Sequence, residues 1–270
     1  MNKPAPFETI DEAFSLTAEK YDNFALDHPN QTRMRHKVYA HLGRYLFPGA
    51  SILELNAGTG IDAAHLAERG FRVHATDISD GMLARLAAKK AARGLNNLSW
   101  QKLSFTELDK ANGAPFDAVF SNLGGLNCVA DLAPIADQLP RVLKPGGVVT
   151  WVIMPPVCLW EMAEVFRGQF KLAFRRLAKG GTTAHLEGKY FPVYYFSPRQ
   201  VRAMFRSEFE LLAIEGLSVI TPTAESKNLA KRFPRVYGAL AWLDDRLAPK
   251  WPWNGWGDFF IISFRYAPQP

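Results

Sequence analysis

Cysteine is scarce in this 270-residue chain: the two present, Cys128 and Cys158, lack the spacing of metal ligands. Both read as packed thiols suited to a reducing compartment. Long apolar runs are also missing. The longest, from Gly147 to Trp160, is interrupted by Pro155 and Pro156 and is too short to span a bilayer. The N-terminal stretch MNKPAPFETIDEAF has no apolar core of the secretory kind, so the expectation is a cytoplasmic protein. There is no low-complexity tract, and at 21% charged residues wholesale disorder is excluded. What remains is a chain with 48% hydrophobic residues, enough to bury one large core with elaborations. The net charge of +6 is mild, so the placement of the charges matters more than their sum.

Short β-rich runs alternate with helical patterns. SILEL (51–55), FRVHAT (71–76), LSWQKL (98–103), FDAVFS (116–121) and GVVTWVIM (147–154) read as strands. The segments AAHLAERG, SDGMLARLAAKKAARG and DLAPIADQLPRVL between them carry apolar residues at helical spacing, with Asp80 as a cap and Gly94 as a stop for the second. Such alternation predicts parallel βαβ units. Residues 8–47 read as helical with a break near His28-Pro29, and 155–200 as a long connection ending in a helix that starts at Ser197-Pro198. Two further strands are predicted at 209–220 and 258–266, separated by a helical stretch around Asn228–Leu247 and a turn at WPWNGWG. The fold class expected is α/β: a Rossmann-like, doubly wound, mostly parallel seven-stranded sheet with N-terminal helices and helical lid insertions. Its divisions are a helical cap over 1–48, a nucleotide-binding core over 49–154, a lid insertion and helix over 155–207, and C-terminal strands with a helical insertion over 208–270.

The stretch ILELNAGTGID (52–62) carries the chemistry. Gly58 and Gly60 remove side chains where a strand enters a helix, so bare backbone and helix N-terminal N–H groups can meet a ligand. A Walker phosphate loop is excluded, because Ile61-Asp62 stands where Lys-Ser/Thr would have to be. A dinucleotide fits GxGxxA over Gly58–Ala63, with Asp77 placed 19 positions after Gly58 to hold ribose hydroxyls. Asp62 argues against that ligand by adding negative charge beside the expected pyrophosphate. A sulfonium nucleoside is the third possibility, and an ordinary tight turn with Asp77 as a helix cap is the plain one.

Beyond the turn, several elements occur in order: Glu54-Leu55-Asn56-Ala57-Gly58-Thr59-Gly60, then Asp77, then Gly81-Met82, then Asn122-Leu123-Gly124-Gly125-Leu126-Asn127, then Leu143-Lys144-Pro145-Gly146-Gly147. Over about residues 50–154 the chain resembles the class I S-adenosylmethionine-dependent methyltransferases. The resemblance implies that Asn56, Ala57, Gly58, Thr59 and Gly60 lie against the methionine half of the donor, that Asp77 accepts both ribose hydroxyls, and that Ile78 and Met82 line the adenine slot. Where this family carries glycine, the chain has Asn56, a residue that tolerates left-handed backbone and whose side chain can reach the donor. The family's acidic residue after the third strand is missing, leaving Ser104 or backbone to meet the adenine and Phe105 to stack on it. Tyr21 and Arg35, on helices that close over the donor in similar enzymes, are further contacts that the resemblance suggests.

Methyl transfer needs alignment and exclusion of water more than it needs a base. Asn122, Leu123, Asn127 and residues after Met154 are placed near the acceptor, beyond the strand ends. With Asn122 and Asn127 neutral and Asp131 isolated, no metal is expected. Candidate bases are His28, His36, Glu161, His185, Tyr194 and Tyr195, all of types that more often pack or hydrogen-bond than catalyse. Over 165–179, Phe166, Phe170 and Phe174 recur every four residues, with Leu177 following, beside Arg167, Lys171, Arg175 and Lys179. This predicts an amphipathic basic helix. Its common role is to cover a core; a lid over the acceptor, or contact with an anionic membrane surface, is the functional alternative. Trp251, Trp253 and Trp256 line the same pocket or plug the additions. No nucleic-acid recognition motif accompanies the basic charge. The sequence therefore implies a metal-independent methyltransferase acting on O, N or C of a small, apolar or lipid-like molecule. A nicotinamide-dependent oxidoreductase and a donor-binding module without turnover stand as alternatives.

Overall fold

In the computed structural model, residues 7–26, 28–223 and 227–268 are described. Two helices come first, α1 (Phe7–Leu26) and α2 (Pro29–Leu42), parted at the predicted break, with Pro29 in the first turn of α2 where no intrahelical N–H is needed. Then β1 (Ser51–Leu55), α3 (Ile61–Glu68), β2 (Arg72–Asp77), α4 (Asp80–Arg93), β3 (Leu98–Lys102) and β4 (Phe116–Ser121) alternate as the periodicity predicts. Two single turns, α5 (Ala133–Ala136) and α6 (Leu139–Val142), take the place of one helix over 131–143. Pro134 and Pro140 sit in the first turns of these two segments, where proline is tolerated, and each lacks the N–H a continuous helix would use. The long strand β5 (Leu143–Ile153) closes the parallel half.

The sheet order is β3-β2-β1-β4-β5-β9-β8, where β8 is Phe209–Leu217 and β9 is Phe259–Tyr266. β3, β2, β1, β4 and β5 pair in parallel; β9 runs antiparallel to both β5 and β8. The mostly parallel, seven-stranded expectation holds, and both faces are covered. Leu53, Leu55, Val149, Trp151 and Ile153 enter one core with Phe260 and Ile262, while Ile52, Ala75, Phe120 and Val152 enter the other with Met34 and Val38 of α2. Alternate residues of a strand thus feed opposite layers, as a doubly wound sheet requires.

Three local expectations are corrected. Ser79 caps α4, its Oγ accepting the Met82 N–H at 3.3 Å; Asp80 is the first helical residue, and Gly94 ends the helix at φ +63° as expected. The basic segment 165–179 is not one helix. After the single turn α7 (Leu159–Met162) it breaks into a 3₁₀ piece (Ala163–Arg167), left-handed Gly168, the single turn α8 (Phe170–Ala173) and a second 3₁₀ piece (Arg175–Leu177). Gly168 supplies the reversal, and Arg176 is drawn inward to Glu161 and Asp258, pinning the rest. The long connection contains an antiparallel hairpin, β6 (Thr182–Leu186) and β7 (Lys189–Val193), which turns at Glu187-Gly188 with both φ positive. α9 (Pro198–Met204) follows behind a Ser197/Gln200 capping box. α10 (Lys227–Arg232) and α11 (Pro234–Leu247) lie between β8 and β9. Among the described residues no helix is long and apolar enough to cross a membrane.

Candidate active site

At the carboxyl ends of β1, β2 and β4 the chain leaves the sheet in tight turns. After β1, Asn56 (φ +54°), Gly58 (φ +54°) and Gly60 (φ +74°) all take left-handed backbone, so asparagine does serve where a glycine would be easiest. Gly125 lies against Asn56 so closely that a Cβ there would stand 2.6 Å from the Asn56 Cβ. The Asn56 amide donates to Ser121 Oγ at 3.2 Å, which ties the first turn to the end of β4. Asp77 ties it to the second turn: its two carboxylate oxygens accept the backbone N–H groups of Gly58 and Ser79, each at 2.8 Å. Burial pushes the Asp77 carboxyl above its ordinary value, against backbone donors at Ser79, Gly58 and Ile78 that favour the charged form.

These turns form the floor of a cavity of about 270 Å³. Asn56, Gly58, Asp77, Ile78, Met82, Phe105, Asn122, Leu123 and Tyr21, all expected from the sequence, line it. Ala57, Thr59, Gly60 and Ser104 do not. Thr59 is buried and donates to Asp22, Gly60 is packed against Leu86, and the Ser104 hydroxyl is taken by Thr106 at 2.7 Å. The roof comes from residues not singled out by sequence: Phe7, Ile10 and Phe14 of α1, and Ala184, Phe191 and Val193 of the hairpin. Phe14 meets Phe191 with ring centroids 5.8 Å apart, and Lys189 of the hairpin pairs with Glu12 of α1. Cys128 also lines the cavity, its thiol pushed up to about 12 by burial and the nearby Asp77 charge. Most of the wall is therefore apolar, and among the described residues Asp77 is the carboxylate on it.

Behind the glycine turn lies a buried ion pair. Asp62 accepts from Arg35 and from the Tyr39 hydroxyl, and from the Asn122 amide at 3.1 Å. Burial alone would raise its pKa, but the charge of Arg35 and the hydrogen bonds from Arg35, Tyr39 and Asn122 hold it below the ordinary carboxylate value. Asp62 is thus charged and already paired, so the repulsion assigned to it above is spent on Arg35. Neighbouring Glu54, fully buried, is pushed well above its ordinary value by burial and then by the Asp62 charge. Arg35 reaches Asp62 instead of the cavity, while Tyr21 beside it lines the wall. Burial raises the Tyr21 pKa, keeping its hydroxyl protonated.

None of the six candidate bases is on the cavity wall. His28 is buried at the start of α2, and His36 is exposed on that helix. Glu161 is engaged by Arg175 at 2.7 Å and Arg176 at 2.6 Å. His185 is exposed and stacks on Tyr190 at 4.5 Å. Tyr194 packs on the core below, and the Tyr195 hydroxyl bonds Thr182 at 3.0 Å. Asn127 is a clamp: its amide donates to the carbonyls of Tyr194 (2.6 Å) and Met154 (3.2 Å) and its oxygen accepts the Met154 N–H at 3.0 Å. Asp131 accepts the Ala133 N–H at 2.9 Å, opening α5. Trp251, Trp253 and Trp256 are off the wall, with Trp253 and Trp256 packed edge to face at 5.9 Å. Cys158, Glu161 and Asp258 bring potential ligand atoms within 4.8 Å of one another, but the Arg176 guanidinium already bonds both carboxylates.

The chain is similar to known proteins in sequence and in fold. Residues 52–147 match the family model of a methyltransferase domain. A demethylmenaquinone methyltransferase of Beutenbergia cavernae is 35% identical over 129 residues, covering 47% of this chain and 50% of the relative. The chain spans about half the length of the curated relatives it matches. A Burkholderia thailandensis 1,6-didemethyltoxoflavin N1-methyltransferase, solved with that molecule and S-adenosylhomocysteine, shares the fold at TM-score 0.58 and 16% identity, covering 99% of this chain and 93% of that one. The cyclase SpnF shares it at TM-score 0.63 and 17% identity over 100% of both chains.

Proposed function

For a chain whose core is a class I S-adenosylmethionine-dependent methyltransferase domain, we propose an enzyme that methylates O, N or C of a small, apolar or lipid-like acceptor without a metal. One observation carries the reading: a largely apolar cavity resting on the bare α-carbon of Gly58, with the Asp77 carboxylate on its wall. The residues suit the donor. Each Asp77 oxygen keeps a lone pair beyond its backbone bonds and can accept a hydrogen bond from a ribose hydroxyl, and Ile78, Met82 and Phe105 offer apolar surface for a base. Bound there, S-adenosylmethionine supplies a methyl group already activated by its sulfonium.

The chain's own work is then to bind, align and exclude water. Tyr21 and Asn56 offer hydrogen-bonding groups near the glycine turn, while Phe14, Phe191, Val193 and Met154 leave an acceptor nothing polar to replace its hydration. That wall favours an apolar acceptor, in keeping with the demethylmenaquinone named for the Beutenbergia cavernae relative. Metal independence is supported by the donor set, since one carboxylate among the described wall residues is a poor cage for a hard cation. Calorimetry tests the donor: S-adenosylhomocysteine should bind and NAD(P) should not. Tight NAD(P) binding with no response to S-adenosylhomocysteine would turn the reading to an oxidoreductase.

A second reading, a donor-binding protein that transfers no methyl group, draws on the absence of every candidate base from the wall. Incubation with labelled donor and lipid or metabolite extracts separates the two, because only a methyltransferase moves label into the extract.

A further inference from the structure

The broken segment 163–180 leaves its aromatic side chains in solvent. Phe166 is 93% exposed, Phe170 60%, Leu177 50% and Phe174 45%. Isolated exposed apolar residues are ordinary, but four within twelve positions concentrate poorly solvated apolar surface on one short segment. From Phe166 to Gly180 the chain carries Arg167, Lys171, Arg175, Arg176 and Lys179 and no acidic residue. Arg175 and Arg176 are held by Glu161, and Arg167 by Glu164 at 2.9 Å. Lys171 and Lys179 are exposed and have no carboxylate partner among the described residues. Beneath, Ala173 is buried and Arg176 bonds Asp258, so the rings stand on an anchored base.

We propose that this segment docks the protein on an anionic phospholipid bilayer. The free lysines match anionic headgroups in charge, and the phenylalanines enter the headgroup–acyl boundary. A protein partner would need a separate pocket for each ring on so irregular a backbone; a fluid interface does not. The inference rests on exposure and charge alone and is independent of methyl transfer, so donor binding and docking can fail separately.

The test is sedimentation of the full chain with phosphatidylglycerol-containing vesicles, with pure phosphatidylcholine vesicles as the control. Pelleting should occur with the anionic vesicles, weaken at high salt and be much lower on the neutral ones. The pairs Phe166→Ser with Phe170→Ser, and Lys171→Glu with Lys179→Glu, should each weaken binding about tenfold or more. Donor binding and thermal midpoint should stay unchanged, since all four side chains are exposed and off the cavity wall. A wild-type chain that stays in the supernatant overturns the proposal, as do variants that bind as well as wild type. A dimer in sedimentation equilibrium that the serine pair dissociates, without vesicle binding, would assign the patch to a second copy instead.

Discussion

The Gly58 amide donates to the Asp77 carboxylate at 2.8 Å, joining the turn after β1 to the turn after β2. Both edges of the candidate donor site therefore hang on one side chain. Asp77→Ala should weaken S-adenosylhomocysteine binding by about 1.5–3 kcal/mol, the range for hydrogen bonds to a charged group. Calorimetry reads this directly, and unaltered affinity removes Asp77 from the site.

Gly125 and Asn56 make a sharper test, because the contact is between one missing and one present side chain. Gly125→Ala places a Cβ 2.6 Å from the Asn56 Cβ and should lower donor affinity by displacing the cavity wall. Adding Asn56→Gly removes the clash, so the double variant should bind better than Gly125→Ala alone. Simple additivity of the two changes would contradict this account.

Arg35→Met leaves Asp62 as a buried carboxylate without its cation. Loss of one partner of a buried pair costs about 3–5 kcal/mol. Urea unfolding should show that drop, and Asp62→Asn in the same background should recover part of it.

Glu215 is held at a pKa of about 2; burial would raise it, but hydrogen bonds and charge from His41 and Arg44 prevail. A depressed carboxyl pKa contributes stability that is fully present above the unfolded value near 4.5 and is lost as pH falls through about 2. Between those limits wild type should lose more stability than Glu215→Gln, by thermal unfolding at stepped pH. Parallel curves would rule out the contribution.

Cys128 is pushed up to about 12 by burial, so its thiol should resist alkylation at mildly alkaline pH in the folded chain and react once the chain is unfolded. Mass spectrometry of iodoacetamide-treated protein checks this.

Much of the floor was legible because local rules fix it. All seven sheet strands follow from their apolar runs, and Asn56 fits the left-handed position its place in the turn demands. The roof was not, although signals existed. Phe7, Ile10, Phe14 and Tyr21 recur on one face of α1, and Glu187-Gly188 separates two short alternating runs. Each is a weak local pattern whose meaning depends on a partner far along the chain. The basic segment misled for the opposite reason: its four-residue spacing is strong, but Gly168 and the inward pull on Arg176 override it. The six candidate bases were named by residue type alone, and type says nothing of which way a side chain faces.

The contact of Phe14 with Phe191 joins two stretches separated by five of the seven sheet strands, β1 to β5, and neither ring lies on the glycine turn itself. On the proposed reading, acceptor preference sits with the roof residues and donor grip with the turns below, Tyr21 of α1 excepted. On that reading, exchanging Ile10, Phe14, Phe191 and Val193 should retailor the guest with the Gly58–Asp77 contact left in place, which makes this scaffold a convenient starting point for directed evolution.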